Sequence, residues 1–140
     1  ALRTLPNLEV ILGRFLSHDI MMPLANPVSG GPRFAKVTKT EEKGSDVNIA
    51  AHLINDGYKK EYDIAVIVTN DSDLTEPVRI VRHELGLPVG ILNPHKNQTS
   101  KVLAKHASFI KQIRTGVLSA SQFLLVLTDA RGEFRKPSSW

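Results

Sequence analysis

The chain contains no cysteine, so disulfides and thiolate metal sites are excluded. Nothing in it asks for an oxidising compartment, and the expected location is the cytoplasm. No apolar run approaches the roughly 18 residues of a membrane-spanning helix, so no membrane partner is expected. There is no Gly-rich phosphate loop and no Ser-His-Asp arrangement with supporting context. The five histidines, His18, His52, His83, His95 and His106, show no metal-ligand spacing. What remains is ordinary for a soluble domain: 140 residues, 41% hydrophobic and 23% charged, enough for a real core. The net charge of +4 fits a polyanionic partner, although many proteins without one share it.

Ala1 to Leu5 reads as the end of a helix stopped by Pro6. Leu8 to Leu16, with Val10, Ile11 and Leu12, reads as a buried strand. His18 to Pro32 holds Pro23, Pro27, Gly30 and Gly31 and reads as a long loop, followed by a short strand from Phe34 to Thr38. Ser45 to Gly57 is the clearest helix, with Val47, Ala50, Ala51, Ile54 and Tyr58 on one stripe. Ser45 is placed to cap it, and Asp46 falls in its first turn.

Asp63 to Thr69 is a β-branched run without alternation, which predicts a strand buried on both faces. A helix then carries Leu74, Val78, Val81 and Leu85 on one face and ends at Gly86. Leu87 to Leu92 reads as another buried strand, Ser100 to Lys105 as a short helix and Ser108 to Ile110 as a short strand. Ser119 to Leu127 reads as helical, and the tail from Asp129 as polar and irregular. The alternation of strands and helices predicts an α/β fold with right-handed crossovers. The division expected is one domain over 1–127 and a tail over 128–140.

Ligands of open parallel sheets bind beyond the carboxyl ends of the strands. Three loops lie there: Glu41-Glu42-Lys43-Gly44-Ser45-Asp46, Thr69-Asn70-Asp71-Ser72-Asp73 and Asn93-Pro94-His95-Lys96-Asn97. The first two carry acidic clusters and the third is basic. The plain reading of Asp71 and Asp73 is helix capping, since Asp73 and Glu76 have capping-box spacing. A helix capped at Asp73 would place Pro77 at its fourth position, where it lacks the N–H and crowds a carbonyl. The regular helix should therefore start nearer Thr75, leaving Asn70 to Asp73 as a tight turn. The plain reading of Asp46 is a carboxylate favoured by the helix dipole. Carboxylates gathered at one edge repel, and a divalent cation with oxygen preference relieves that.

The stretch Glu41-Glu42-Lys43-Gly44-Ser45-Asp46-Val47-Asn48, followed by Thr69-Asn70-Asp71-Ser72-Asp73-Leu74, resembles the NYN domain family of PIN-like nucleases. That family pairs a K-G-x-D helix start with a strand ending in D-S-D. The similarity runs from about Leu8 to about Ile110. The Ser119 to Phe123 segment and the Lys136-Pro137-Ser138-Ser139-Trp140 ending resemble a bacterial subgroup.

The resemblance implies a Rossmann-like three-layer fold, with a central, mostly parallel sheet flanked by helices. It also implies cleavage of RNA, single-stranded in the expected case, with magnesium or manganese. Asp46, Asp71 and Asp73 then match the acidic catalytic and metal site. Lys43, Asn70, Ser72, His95 and Lys96 are the candidate RNA contacts.

The chain departs from the family in one respect. The family normally opens with a strand ending in an acidic residue, often as I-D-x-x-N, and no such segment precedes Leu8. The expectation is a domain lacking its first strand, with either an upstream segment or a neighbouring chain in a homo-oligomer filling the gap. An RNA-binding or regulatory domain that keeps the fold without catalysis is the alternative to a ribonuclease. A terminal tryptophan such as Trp140 either packs back or stacks on a base.

Overall fold

The computed structural model describes every residue except Asn97 and Trp140. The chain forms two compact units, one over residues 11–48 and one over residues 1–10 with 49 onward.

The first unit is an antiparallel hairpin of β1 (Arg14–Pro23) and β2 (Phe34–Lys43), in register from Arg14 opposite Lys43 to Pro23 opposite Phe34. The expected buried strand from Leu8 to Leu16 is not formed. Extended pairing begins only at Arg14, runs through the first part of the expected loop, and leaves β1 exposed throughout. Likewise β2 runs past Thr38 to Lys43. What aligns these strands is pairing across the hairpin. Ser17 and Thr40 hydroxyls meet at 2.7 Å, Thr38 donates to Asp19 at 2.9 Å, and Lys36 pairs with Asp19 at 2.9 Å. Such cross-strand pairs stabilise a sheet without burying it. The Lys36 contact, then the Thr38 hydroxyl, holds the Asp19 carboxyl below its usual range. A Cβ at Gly13 would meet the Glu42 carboxylate, the far end of a flexible side chain that would have to move aside.

Helix α1 (Ser45–Tyr58) begins in this unit and continues into the other. Its start differs from the expected cap. Gly44, at φ +103°, supplies the carbonyl for the first helical bond, from Asn48, while the Ser45 hydroxyl donates to Glu42 at 2.8 Å. Its buried positions also differ from the expected stripe. Leu53 and Gly57 are buried, whereas Val47 and Tyr58 are exposed. Tyr62 explains the shift: its ring lies against Gly57, and its hydroxyl donates to the Leu53 carbonyl.

The second unit is built on three parallel strands in the order β3 (Ala65–Val68), β4 (Val89–Asn93) and β5 (Phe109–Gln112). Between β3 and β4 come a 3₁₀ turn at Ser72–Leu74, α2 (Thr75–Arg79) and a π turn at Ile80–Glu84. Between β4 and β5 lies α3 (Lys101–His106). The regular helix starts at Thr75, as Pro77 requires. Val78, Val81 and Leu103 from the helices pack with Leu53, Ala65, Val89 and Ile91 into one aliphatic core. This is a mixed α/β arrangement, with a parallel sheet and flanking helices.

Strand β3 is not buried on both faces. Ala65 is buried and Ile67 half-buried, while Val66 and Val68 are exposed, so the strand alternates. A continuous β-branched run shows that a strand can be covered twice; whether it is depends on what the chain brings to the second face.

The end of the chain differs as well. Helix α4 (Thr115–Ala120) stops early, and β6 (Val126–Asp129) pairs antiparallel with β7 (Gly132–Arg135). The expected helix to Leu127 and irregular tail are thus replaced by a short helix and a hairpin. Its turn is chemically specified: Asp129 accepts from the Arg131 N–H at 2.8 Å, and Gly132 takes φ +118°.

Gly86 follows the π turn, with φ +72° and the Leu87 N–H returning to the Val81 carbonyl at 3.1 Å. Gly86→Ala should cost about 1–2 kcal/mol, the penalty of a Cβ in the left-handed region. Chemical denaturation measures it, and a variant as stable as the parent would contradict the assigned backbone.

Candidate active site

Strand β3 ends at Val68, and the next residues fold back tightly. The Thr69 hydroxyl accepts from the Asp71 N–H at 3.0 Å. Asp71 Oδ1 in turn accepts from the Asp73 N–H at 3.0 Å, so Asp71 caps the 3₁₀ turn. Thr75 Oγ1 donates to the Ser72 carbonyl at 2.6 Å and closes the motif. The capping reading is therefore met by Asp71 rather than Asp73. Both carboxylates stand exposed at the carboxyl end of β3, and among the described residues no side-chain hydrogen bond engages that of Asp73.

Asn70 ties this turn to the loop after β4, its Oδ1 accepting from the Ser100 N–H at 2.8 Å. The two segments enclose an open, polar pocket of about 560 Å³ lined by Asn70, Ser72, Gln98, Thr99, Ser100 and Lys101. His95 and Lys96 are exposed on the same loop. The loop is held by Gln112, whose side-chain amide donates to the carbonyls of Asn93, at 3.1 Å, and of His95. Asp71, Ser72, Asp73, Asn70, His95 and Lys96 thus all belong to loops after β3 and β4.

Asp46 and Lys43 belong to the 11–48 unit. Asp46 is exposed in the first turn of α1. Lys43 ends β2 with its ammonium 3.4 Å from Glu41, which Lys39 also meets at 2.7 Å. The Lys39 hydrogen bond, then the charges of Lys39 and Lys43, hold the Glu41 carboxyl below its usual range. An exposed pair of this kind is weak and leaves Lys43 able to change partner.

Among the described residues, no group of three or more His, Asp or Glu side chains is close enough to hold a metal ion. Asp71 and Asp73 alone still offer hard oxygen donors open to solvent. That set suits magnesium or manganese, which keeps several waters and takes one or two carboxylates.

Sequence reasoning named none of Asn93, Gln98, Thr99, Ser100 and Lys101 as a site residue. Ser100 had a visible signal, since its hydroxyl accepts from the Leu103 N–H at 3.3 Å, the ordinary spacing of a helix cap. Asn93 had none. Asn97 and Trp140, both named above, lie outside the described residues.

A carboxylate pair in a turn after a parallel strand, beside a polar pocket, is joined by one deciding comparison: the NYN domain profile matches residues 28–119. The chain belongs to the NYN domain family. That is a family of nuclease type, and the match takes in both acidic motifs. A curated relative, the 6-hydroxy-3-succinoylpyridine 3-monooxygenase HspA of Pseudomonas putida, is 30% identical over 142 aligned positions, covering 95% of this chain and 45% of the relative. The chain thus spans less than half of that protein. A crystal structure of a protein of unknown function from Vibrio parahaemolyticus is similar at a TM-score of 0.46 and 18% identity, over 67% of this chain and 51% of the other. No helix among the described residues is long and apolar enough to cross a membrane.

A second pocket, apolar and about 190 Å³, is lined by Phe123, Leu124, Leu127 and Phe134, together with Arg135 and Lys136.

Proposed function

We propose that this NYN domain hydrolyses RNA phosphodiester bonds with a divalent cation, magnesium or manganese, on single-stranded RNA. The observation that carries the reading is the Asp71-Ser72-Asp73 turn at the end of β3, beside the pocket lined by Asn70, Ser72 and Lys101. Asp71 and Asp73 would hold the cation. A bound divalent cation stabilises charge on the phosphodiester and makes a water more acidic. The protein's own part is placement. Asp71 fixes the turn with one oxygen, Asn70 ties it to the neighbouring loop, and Lys96, Lys101 and His95 meet the phosphates.

Incubation of a fluorescent single-stranded RNA with manganese or magnesium tests the reading. Cleavage stopped by a chelator is the expected result. Binding without cleavage under either metal would leave an RNA-binding domain, the alternative expected from the sequence.

A second reading has one observation in its favour. The relative is named for monooxygenation of 6-hydroxy-3-succinoylpyridine, a ring with a carboxylate tail, and the apolar pocket beside Arg135 suits such a molecule. Oxygen uptake on adding that compound with a reduced nicotinamide cofactor would support it, and no uptake would remove it.

A further inference from the structure

Asn93 is the buried polar residue of the second unit's core, with no exposed surface, at the carboxyl end of the central strand. Its neighbours on the same face, Val89 and Ile91, are aliphatic. A side-chain amide there gives up water and must recover its hydrogen bonds. It does so entirely with the loop that follows. Nδ2 donates to the Gln98 carbonyl at 2.6 Å and to the Thr99 hydroxyl at 3.1 Å, and Oδ1 accepts from the His95 N–H at 2.9 Å. Two donors and one acceptor are needed, which an amide has and a carboxylate lacks.

Gln98, Thr99 and Ser100 belong to no helix or strand, yet they form one wall of the polar pocket. Asn70, across the pocket, holds the same wall through Ser100. The wall is thus fastened from the sheet by Asn93 and from the acidic turn by Asn70.

We infer that Asn93 is a positioning residue for RNA binding: it holds His95, Gln98 and Thr99 so that the pocket wall and the Asp71-Asp73 turn face one strand of RNA. The inference rests on the proposed ribonuclease reading. Asn93 touches no RNA itself. It fixes where Gln98 and Thr99 stand and where His95 and Lys96 emerge. An unheld loop must be ordered by the ligand, at the expense of affinity.

The test compares the parent chain with Asn93→Asp, Asn93→Ser and a core control, Val81→Ala, in the same fold. Val81 is fully buried and distant in sequence from the loop. Affinity for a fluorescein-labelled oligouridylate is read by anisotropy, and amide hydrogen exchange reads the order of the loop. Both Asn93 variants should bind about tenfold more weakly, the equivalent of about 1.4 kcal/mol, and exchange faster between His95 and Ser100. Val81→Ala should lose thermal stability and keep parental affinity. Asn93→Ser is the second chance if the buried carboxylate of Asn93→Asp prevents folding. Folded Asn93 variants with parental affinity, or a control that weakens binding as much, would overturn the role of Asn93 while leaving the ribonuclease reading in place. A parent chain that binds no RNA would overturn that reading, and the inference with it.

Discussion

Asp71→Asn should lower metal-dependent RNA cleavage by at least about a hundredfold, the scale on which one transition-state contact is removed. The substitution is informative because it is nearly isosteric. Asp71 uses Oδ1 to accept from the Asp73 N–H at 3.0 Å, and the amide oxygen of asparagine does the same. The turn and its cap persist, so stability should stay within about 0.5 kcal/mol of the parent. What is lost is the charge and one hard oxygen donor facing solvent. Asp73→Asn should behave alike, since among the described residues no side-chain hydrogen bond holds that carboxylate in the fold. Asp71→Ala is a different experiment: it removes the cap as well, at about 1 kcal/mol. Initial rates on single-stranded RNA with manganese, beside melting curves, decide the matter. Asp71→Asn cutting at the parental rate would remove the carboxylates from the reaction, and a collapse in melting temperature would make the loss structural.

Ile91→Ala should unfold the second unit more readily than any surface change. Ile91 is 1% exposed on the central strand, in register with Ile67 on one side and Ile110 on the other. Val78, Val81 and Leu103 belong to the same cluster, so the missing atoms leave a cavity the backbone cannot close. The cost should be about 2–5 kcal/mol. For a chain of this size that corresponds to a fall of roughly 5–20 °C in Tm. Calorimetry is the suitable measurement, because the two compact units need not melt together. A loss under about 1 kcal/mol would contradict the position of Ile91 in the core.

How far the site could be read from sequence depended on how local its causes are. The Asn70 to Asp73 turn was legible because Pro77 constrains where a helix can start, and Asp71 and Asp73 follow a continuous β-branched run. The partner of that turn was not. Ser100 binds Asn70 across 30 positions, and no local pattern announces a contact that distant. Asn93 read as the first residue of a basic loop, yet it is the strand's last, fully buried residue. An amide carries no periodic signal; its burial follows from the loop folding back over it.

The sequence by itself determined the family, through two spaced acidic motifs, and the parallel strands β3 and β4, through their apolar runs. It also determined the start of α2, through a proline whose missing N–H acts on the nearest turn. Only the tertiary structure decided which apolar residues are covered. Val10, Ile11 and Leu12 looked like a strand and form none, while Arg14 to Pro23 pairs with a segment whose register no local rule sets. Val66 and Val68 looked buried and are exposed, and Leu124 and Leu125 looked helical and precede a hairpin. The physical reason is common to all of these. Propensity and capping act over a few residues and are written in them, whereas strand pairing and face burial are properties of two segments at once.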